Sequence, residues 1–406
     1  MNDEVVIAGC GIAGGFLALR CLQLGLKPTL LRTPGVAIGG VEIIPASVVS
    51  MLDALKLDDV FDAMDAGLGE GMERRFHDGT SDAALGRSLH IERLRLRACV
   101  ITEAVRRGAR VRDVERLPPV DDGAMSVDAT GQRAAWSRPV VRCGRAFADV
   151  FIGARTVAPG TARLAALHHG WAYLATDELT TTIGVIGGER SSRPALDAVV
   201  REALCLAADT TFEFAGRRPA WMQWATEPIA GRRLSIGDAA VHHSPIGGRG
   251  VAFALGSAFA AASVLATWKN DPDAEVTASA YYAGYVAAEV RRHLKFLSGR
   301  EQETLKLECM PERVRWVVAP AATAISIDSR LVIDDAFMLA TGELVRWAGG
   351  FDLKRLFELT WKGASSADVI DDLLAQGLTA AAANAALTWA IDQGLVKPER
   401  SSLRPR

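Results

Sequence analysis

Apolar positions along the first thirty residues switch between two rhythms. Val5-Val6-Ile7-Ala8 is a short continuous apolar run, the pattern of a strand buried on both faces of a parallel sheet. Phe16, Leu17, Leu19, Leu22 and Leu24 then recur at helical spacing, Gly25 closes that helix, and Thr29-Leu30-Leu31 reads as a second strand. Further on, Thr180-Thr181-Thr182-Ile183-Gly184-Val185-Ile186 and Thr210-Thr211-Phe212-Glu213-Phe214 are rich in strand formers. An Ala-rich helix is predicted from about Val251 to Trp268. Near the C-terminus, Phe351 to Leu359 reads as a helix, a second begins at a cap near Ser365 or Ser366, and Thr379 caps a third.

Between the first strand and helix stands Gly9-Cys10-Gly11-Ile12-Ala13-Gly14. A GxGxxG inside a strand–helix–strand unit of about 30 residues is the setting that lifts this motif above chance. Gly9 permits the tight turn, Gly11 lets a pyrophosphate approach the backbone, and Gly14 lets the helix pack close to the strand. The helix start offers free N–H groups and a positive dipole end to phosphate. One position disagrees with the pattern. The second strand ends at Arg32, where a carboxylate would be expected to take hydrogen bonds from the adenosine ribose. Arg32 either pairs with a 2′-phosphate, as in an NADP-binding dehydrogenase, or the site takes an unphosphorylated adenosine without that carboxylate.

Length and composition narrow the class. The chain has 406 residues, enough for two or three folded units. Apolar residues make up 49% and charged residues 23%, so the chain folds and buries a core without a metal or disulfide staple. Forty-six basic residues against 48 acidic ones leave a net charge of −2, which argues against a nucleic-acid or anionic-membrane partner. The six cysteines form no CxxC pair and sit away from His at ligand spacing, so no metal site is expected. Neither a signal peptide nor a membrane span is legible, and a cytoplasmic location is expected.

Two later segments add chemistry. Val127-Asp128-Ala129-Thr130-Gly131 is a short strand ending in a tight turn. Ile236-Gly237-Asp238-Ala239-Ala240 leads through Pro245-Ile246-Gly247-Gly248-Arg249-Gly250 into the Ala-rich helix. A carboxylate at a strand end, a Gly turn and a helix N-terminus suit a polyol chain leading to an electron-poor ring. With an arginine-led helix at Ile91-Glu92-Arg93-Leu94-Arg95-Leu96, these ordered motifs resemble the flavin-dependent monooxygenases and halogenases of the para-hydroxybenzoate hydroxylase type. The resemblance covers about residues 1–300. It implies FAD, with Gly9, Gly11 and Gly14 at the pyrophosphate and Arg93 at the cofactor's polar middle. It further implies Asp238 at the ribityl chain, Pro245 beside the isoalloxazine, and Gly248, Gly250 and Val251 facing its N1/O2 edge. The departure at Arg32 carries an expectation of its own, that the protein purifies partly as apoenzyme.

Gly40-Val41-Glu42-Ile43-Ile44-Pro45, followed by Leu52, Leu55 and Leu57, resembles a segment of the tryptophan-halogenase-like branch, as does Gly170-Trp171-Ala172-Tyr173. The second Trp of that branch's signature is replaced by Tyr173, and no lysine stands between Lys56 and Lys269 to carry activated chlorine, which argues against halogenation. Hydroxylation of an aromatic ring through a C4a-hydroperoxyflavin remains, with the protein placing the substrate and excluding water. His242 and His243 are candidate proton shuttles; Trp171 either walls the pocket or fills the core; Glu42 and His77 are further pocket candidates. NAD(P)H is the expected electron donor, directly or through a reductase.

The expected architecture is α/β. A discontinuous Rossmann-like FAD-binding domain (1–135 and 225–330) is interleaved with a β-sheet substrate domain (136–224, with parts of 60–90). A small C-terminal helical, winged-helix-like module follows at 331–406. Within the superfamily, the combination resembles the flavin monooxygenases that mature quinone-cofactor enzymes, of the kind that dihydroxylates a peptidyl tryptophan of quinohaemoprotein amine dehydrogenase. That implies a polypeptide substrate or maturation partner. A small-molecule aromatic hydroxylase is the alternative within the class, and a cofactor-free flavin-fold binding protein the alternative outside it.

Overall fold

The computed structural model describes residues 3–398 apart from internal stretches, the longest being 58–66, 188–195 and 298–312. The chain forms two compact units, Met1–Phe296 and Leu297–Arg406.

The first unit is built on two large sheets. In the six-stranded sheet, Arg233–Ser235, Met125–Asp128, Glu4–Ala8, Lys27–Arg32 and Arg110–Asp113 run parallel in that order, and Ile229–Ala230 pairs antiparallel at one edge. The apolar runs read as buried strands occupy its centre: Val5, Ile7, Leu30, Leu31 and Val127 are fully buried. Ala8 lies in register with both Leu31 and Asp128, so three strands end at one level and their following loops open to one side. Helix Ile12–Gln23 follows the first strand, and helix Gly250–Asn270 packs beside it. Among the described residues this last helix alone is long and apolar enough to cross a membrane. Most of it is buried within the unit, as expected of a core helix.

The eight-stranded sheet runs in the order Glu213–Pro219, Phe147–Ala154, Thr180–Gly187, Gly170–Thr176, Ala162–Leu167, Gly67–Arg75, Ser81–Glu92 and Val41–Pro45. Thr180–Gly187 matches its predicted strand. The predicted strand at Thr210–Phe214 begins only at Glu213 and continues to Pro219, because Thr210 closes a turn on Ala207. Val41–Pro45 belongs to this sheet and not to the dinucleotide-type sheet. The Val41 N–H donates to Thr182 Oγ1 at 2.8 Å, so the outer strand curls back over the middle of its own sheet. The arginine-led helix begins at Arg93, with Glu92 as its cap. One oxygen of Glu92 accepts from Arg95 N at 2.8 Å and the other from Gly40 N at 3.0 Å. A small sheet of Val140–Cys143, Met222–Ala225 and Val241–His242 completes the unit.

The second unit begins near residue 297, ahead of the expected boundary at 331, and it is not wholly helical. Antiparallel strands Pro320–Ile327 and Arg330–Met338 form a hairpin, and Arg313–Trp316 pairs with Ala364–Ser365 and Val396–Pro398. Their apolar residues alternate with polar ones too weakly to stand out before the structure is seen. Helix Leu353–Thr360 starts after a cap at Asp352, and helix Ser366–Ala375 starts where predicted. Thr379 lies outside the described residues. Trp316, Phe337, Leu356 and Leu373 form the buried core.

Candidate functional site

The loops at the carboxyl ends of the parallel strands open into one cleft of about 490 Å³. Gly9, at φ +118°, turns the chain at the end of the first strand, where a Cβ would lie 2.2 Å from Ala129 O. At Gly14 a Cβ would lie 2.3 Å from Gly9 O, so this residue lets the helix seat on the turn and does not itself line the cleft. Gly11 differs: a Cβ there meets nothing within 4 Å, and the residue faces the cleft at a helix start that no side chain caps. Unspent N–H groups and open space at one point form a cradle for an anionic group. The adjoining turn is pinned by Asp128, which accepts from Thr130 N, Thr130 Oγ1, Trp136 N and Ser137 Oγ at 2.6–3.0 Å. That buried carboxylate is fully occupied in holding the loop.

Arg32 lines the cleft but is held by Asp113 of the next strand, Nε to Oδ1 at 2.5 Å and Nη2 to Oδ2 at 2.7 Å. Arg93 lines it further along and pairs with Glu42 at 2.9 Å. Opposite them, the turn Gly237–Ala239 presents Asp238, whose Oδ2 lies 3.3 Å from His242 Nδ1. Burial alone would raise the Asp238 pKa. The His242 imidazole, then the Arg93 charge, outweigh burial and bring it to about 2. The same balance acts on His242: burial opposes its charge, Asp238 favours it more strongly, and its pKa rises. Its Nε2 reaches Pro219 O at 3.4 Å. Pro245, Gly248, Gly250 and Val251 line the same end, with open space beside both glycines.

His243 also lines the cleft, more deeply, and its Nε2 lies 2.8 Å from Glu289 Oε1. The Glu289 carboxylate is shared with Arg249, Nε to Oε1 at 2.9 Å, and with Arg292. Burial would raise Glu289; His243 and Arg249 more than compensate and hold it near 2. Glu289 and His293 were not anticipated from the sequence, nor was the pairing of Glu289 with Arg249. A signal existed, because Ala278, Tyr282, Val286, Glu289 and His293 follow a helical stripe and are buried together.

Trp171 does not line the cleft. It packs against Ala148, Ile186 and Ala220, which is the core alternative. Tyr173, two residues on and on the same face of the strand, is the aromatic residue that reaches the cleft. It does so over Gly184, where a Cβ would lie 2.0 Å from the tyrosine ring. Glu42 and Arg218 line the same region, and Arg218 donates to the carbonyls of Ile38 and Gly39. His77 lies outside the described residues. Among the described residues no group of His, Cys, Asp and Glu could hold a metal ion.

The fold, a Rossmann-like parallel sheet joined to an eight-stranded sheet, is shared with solved flavin-dependent halogenases and monooxygenases. Among similar solved structures are the peptidyl tryptophan dihydroxylase QhpG, described as essential for tryptophylquinone cofactor biogenesis, and the flavin-dependent halogenase CmlS. QhpG is 18% identical over 97% of this chain and 100% of its own, with a TM-score of 0.63. CmlS is 15% identical over 100% of this chain and 98% of its own, with a TM-score of 0.68. The myxobacterial chondrochloren halogenase CndH is 19% identical over 73% of this chain and 82% of its own, with a TM-score of 0.62. No protein-family model matches the chain, and no curated protein matches its sequence.

Proposed function

We propose that the chain is an FAD-dependent monooxygenase that hydroxylates an aromatic ring, and that this ring is a tryptophan side chain of a protein substrate. One observation carries the flavin reading. A single cleft has an open glycine cradle and uncapped helix start at one end, and a carboxylate, a proline turn and a second helix start at the other. The first end suits a pyrophosphate at Gly9 and Gly11. The second suits a ribityl chain at Asp238 and a ring edge near Pro245, Gly248, Gly250 and Val251. Bound FAD would supply oxygen activation, with electrons from NAD(P)H directly or through a reductase.

The protein's own residues then have definite tasks. Arg93, held by Glu42, offers positive charge midway along the cleft. Asp238 raises the His242 pKa and orients the ring, which favours a proton on the imidazole beside the ring end. Glu289 fixes His243 and Arg249 in the wall. Among the described residues no lysine lines the cleft, which favours hydroxylation over halogen transfer. The protein-substrate reading is supported by the likeness to QhpG, which extends over 97% of this chain and so takes in the second unit. A reducing cytoplasm suits the five free cysteines among the described residues.

The test is direct. The purified chain is titrated with FAD, then given NADH or NADPH, oxygen and tryptophan-containing peptides, and products are weighed by mass spectrometry. Saturable flavin binding and a peptide heavier by one or two oxygen atoms are expected. Failure to bind FAD would sink the reading, and turnover of free phenols or indoles with no peptide oxidised would remove its protein-substrate half.

A further inference from the structure

A second cavity, of about 740 Å³, adjoins the candidate flavin cleft, and Gln132, Arg133 and Pro219 line both. Its remaining wall carries Arg142, Trp221 and Gln223, and among the described residues no carboxylate lines it. We infer that this cavity is the docking subsite for an acidic stretch of the polypeptide substrate, with a substrate carboxylate received by Arg142 and Arg133. The inference rests on the protein-substrate reading above.

Arg142 is fixed in place before any ligand arrives. Its Nε donates to Gln223 Oε1 at 2.8 Å, and its guanidinium lies 5.5 Å from the centre of the Trp221 ring. Gln223 is buried and anchored in turn, Nε2 donating to Gln132 O at 2.9 Å, while Trp221 packs edge-on to Phe147 at 5.1 Å. A long flexible cation gains little from an ion pair when it must first be ordered; an arginine already held through Nε keeps its Nη groups for a carboxylate. Among the described residues neither Arg142 nor Arg133 has a carboxylate partner, whereas Arg32, Arg93, Arg217 and Arg249 of the same unit each have one.

The wall also holds two polar atoms without partners, the donor Trp221 Nε1 and the acceptor Gln132 Oε1. A peptide group carries the carbonyl and the N–H that this donor and this acceptor lack. Val140–Cys143, which carries Arg142, is the outer strand of its three-stranded sheet among the described residues, so extended chain can run alongside it. The two guanidinium groups select an acidic partner, and the outer strand selects an extended one.

The test uses the full chain loaded with FAD. Binding is measured by fluorescence anisotropy for a labelled tryptophan peptide flanked by Asp, for the same peptide flanked by Asn, and for indole-3-acetate as competitor. The Asp peptide is expected to bind roughly tenfold or more tighter than the Asn peptide, the scale of a charge-assisted hydrogen bond. Arg142→Met abolishes that preference, Arg142→Lys restores it only in part, and the preference shrinks as salt rises. Equal affinity for the two peptides, or an undiminished preference in Arg142→Met of unchanged melting temperature, overturns the inference. Arg142-dependent binding of indole-3-acetate with no Asp preference also overturns it, because the site would then serve a small aromatic acid. Flavin content, recorded on every sample, separates the two readings: an Arg142-dependent preference in protein that takes up no FAD would defeat the flavin reading and leave this one standing.

Discussion

Arg32 and Asp113 stand directly opposite each other on the last two strands of the parallel sheet and form a bidentate ion pair at 2.5 and 2.7 Å. The carboxylate missing from the end of the second strand is thus present one strand over, and it is occupied by the residue that replaced it. A guanidinium already paired gains less from a 2′-phosphate, which favours the unphosphorylated adenosine of the two alternatives at Arg32. Asp113→Asn is expected to release Arg32 and raise the affinity for NADP⁺ relative to NAD⁺, measured by quenching of tryptophan fluorescence. Both side chains are exposed, so the melting temperature should not move. An unchanged nucleotide preference would show that Arg32 does not face the phosphate end.

The three glycines of the first turn should separate cleanly. Gly14→Ala places a Cβ against the Gly9 carbonyl and is expected to cost about 3 kcal/mol or more, with loss of flavin as a consequence of misfolding. Gly11→Ala meets no protein atom, and its backbone is already extended at φ −100°. It should leave the melting temperature of the flavin-free protein unchanged while weakening FAD by about tenfold or more, since the methyl group enters the cradle. Equal loss of stability in both variants would remove the case for a ligand at Gly11.

Acid should unfold the first unit in two stages. Burial, with the His243 charge, lowers the His293 pKa from 6.5 to about 4, and its Nε2 accepts from Ser244 N–H at 3.0 Å, which only the neutral ring can do. A depressed pKa contributes stability that is full above 6.5 and is lost as pH falls towards 4. Glu289, held near 2 against an ordinary 4.5, contributes stability that is full above 4.5 and is lost as pH falls towards 2. Each limb amounts to roughly 3 kcal/mol at most. His293→Gln should flatten the melting temperature between pH 6.5 and 4 and spare the lower limb. Glu289→Gln should remove the lower limb and destabilise the protein at neutral pH, because His243, Arg249 and Arg292 lose their common partner.

Tyr173 reaches the cleft only because Gly184 has no side chain. Gly184→Ala should cost about 1–3 kcal/mol by overpacking. In a double-mutant cycle with Tyr173→Ala, that cost should largely disappear, since the alanine removes the ring that the new methyl meets. Additive effects in urea denaturation would place the tyrosine ring elsewhere.

Much of this architecture is legible in the linear order of residues because its cause is local. A β-hydrophobic run, three glycines at set spacing and a helical stripe determine the strand–turn–helix at residues 4–23 wherever it occurs, and Gly9 and Gly11 line one cleft with Asp238, Pro245, Gly248 and Val251, the set that the resemblance to flavin enzymes implied. Helix starts are local in the same way: the caps Glu92 and Asp352 act within three residues of themselves, and the helix expected after a cap near Ser365 or Ser366 begins at Ser366. The strands of the second unit are not local, since Arg313–Trp316 finds its partners near residues 365 and 397, and pairing over such distances leaves no local pattern.

The sequence by itself determined the dinucleotide-type turn, the likeness of its ordered motifs to flavin enzymes and the absence of a lysine from the middle of the chain. Only the tertiary structure decided which charges meet. Asp113 neutralises Arg32 from 81 residues away, Glu289 gathers His243, Arg249 and Arg292, and Tyr173 reaches the cleft while Trp171 takes the core, the second of its two alternatives. The physical reason is that electrostatic and packing partners are chosen by distance in space. A charged or aromatic residue at a known position has an unknown neighbour until the sheets have curled and the helices have docked.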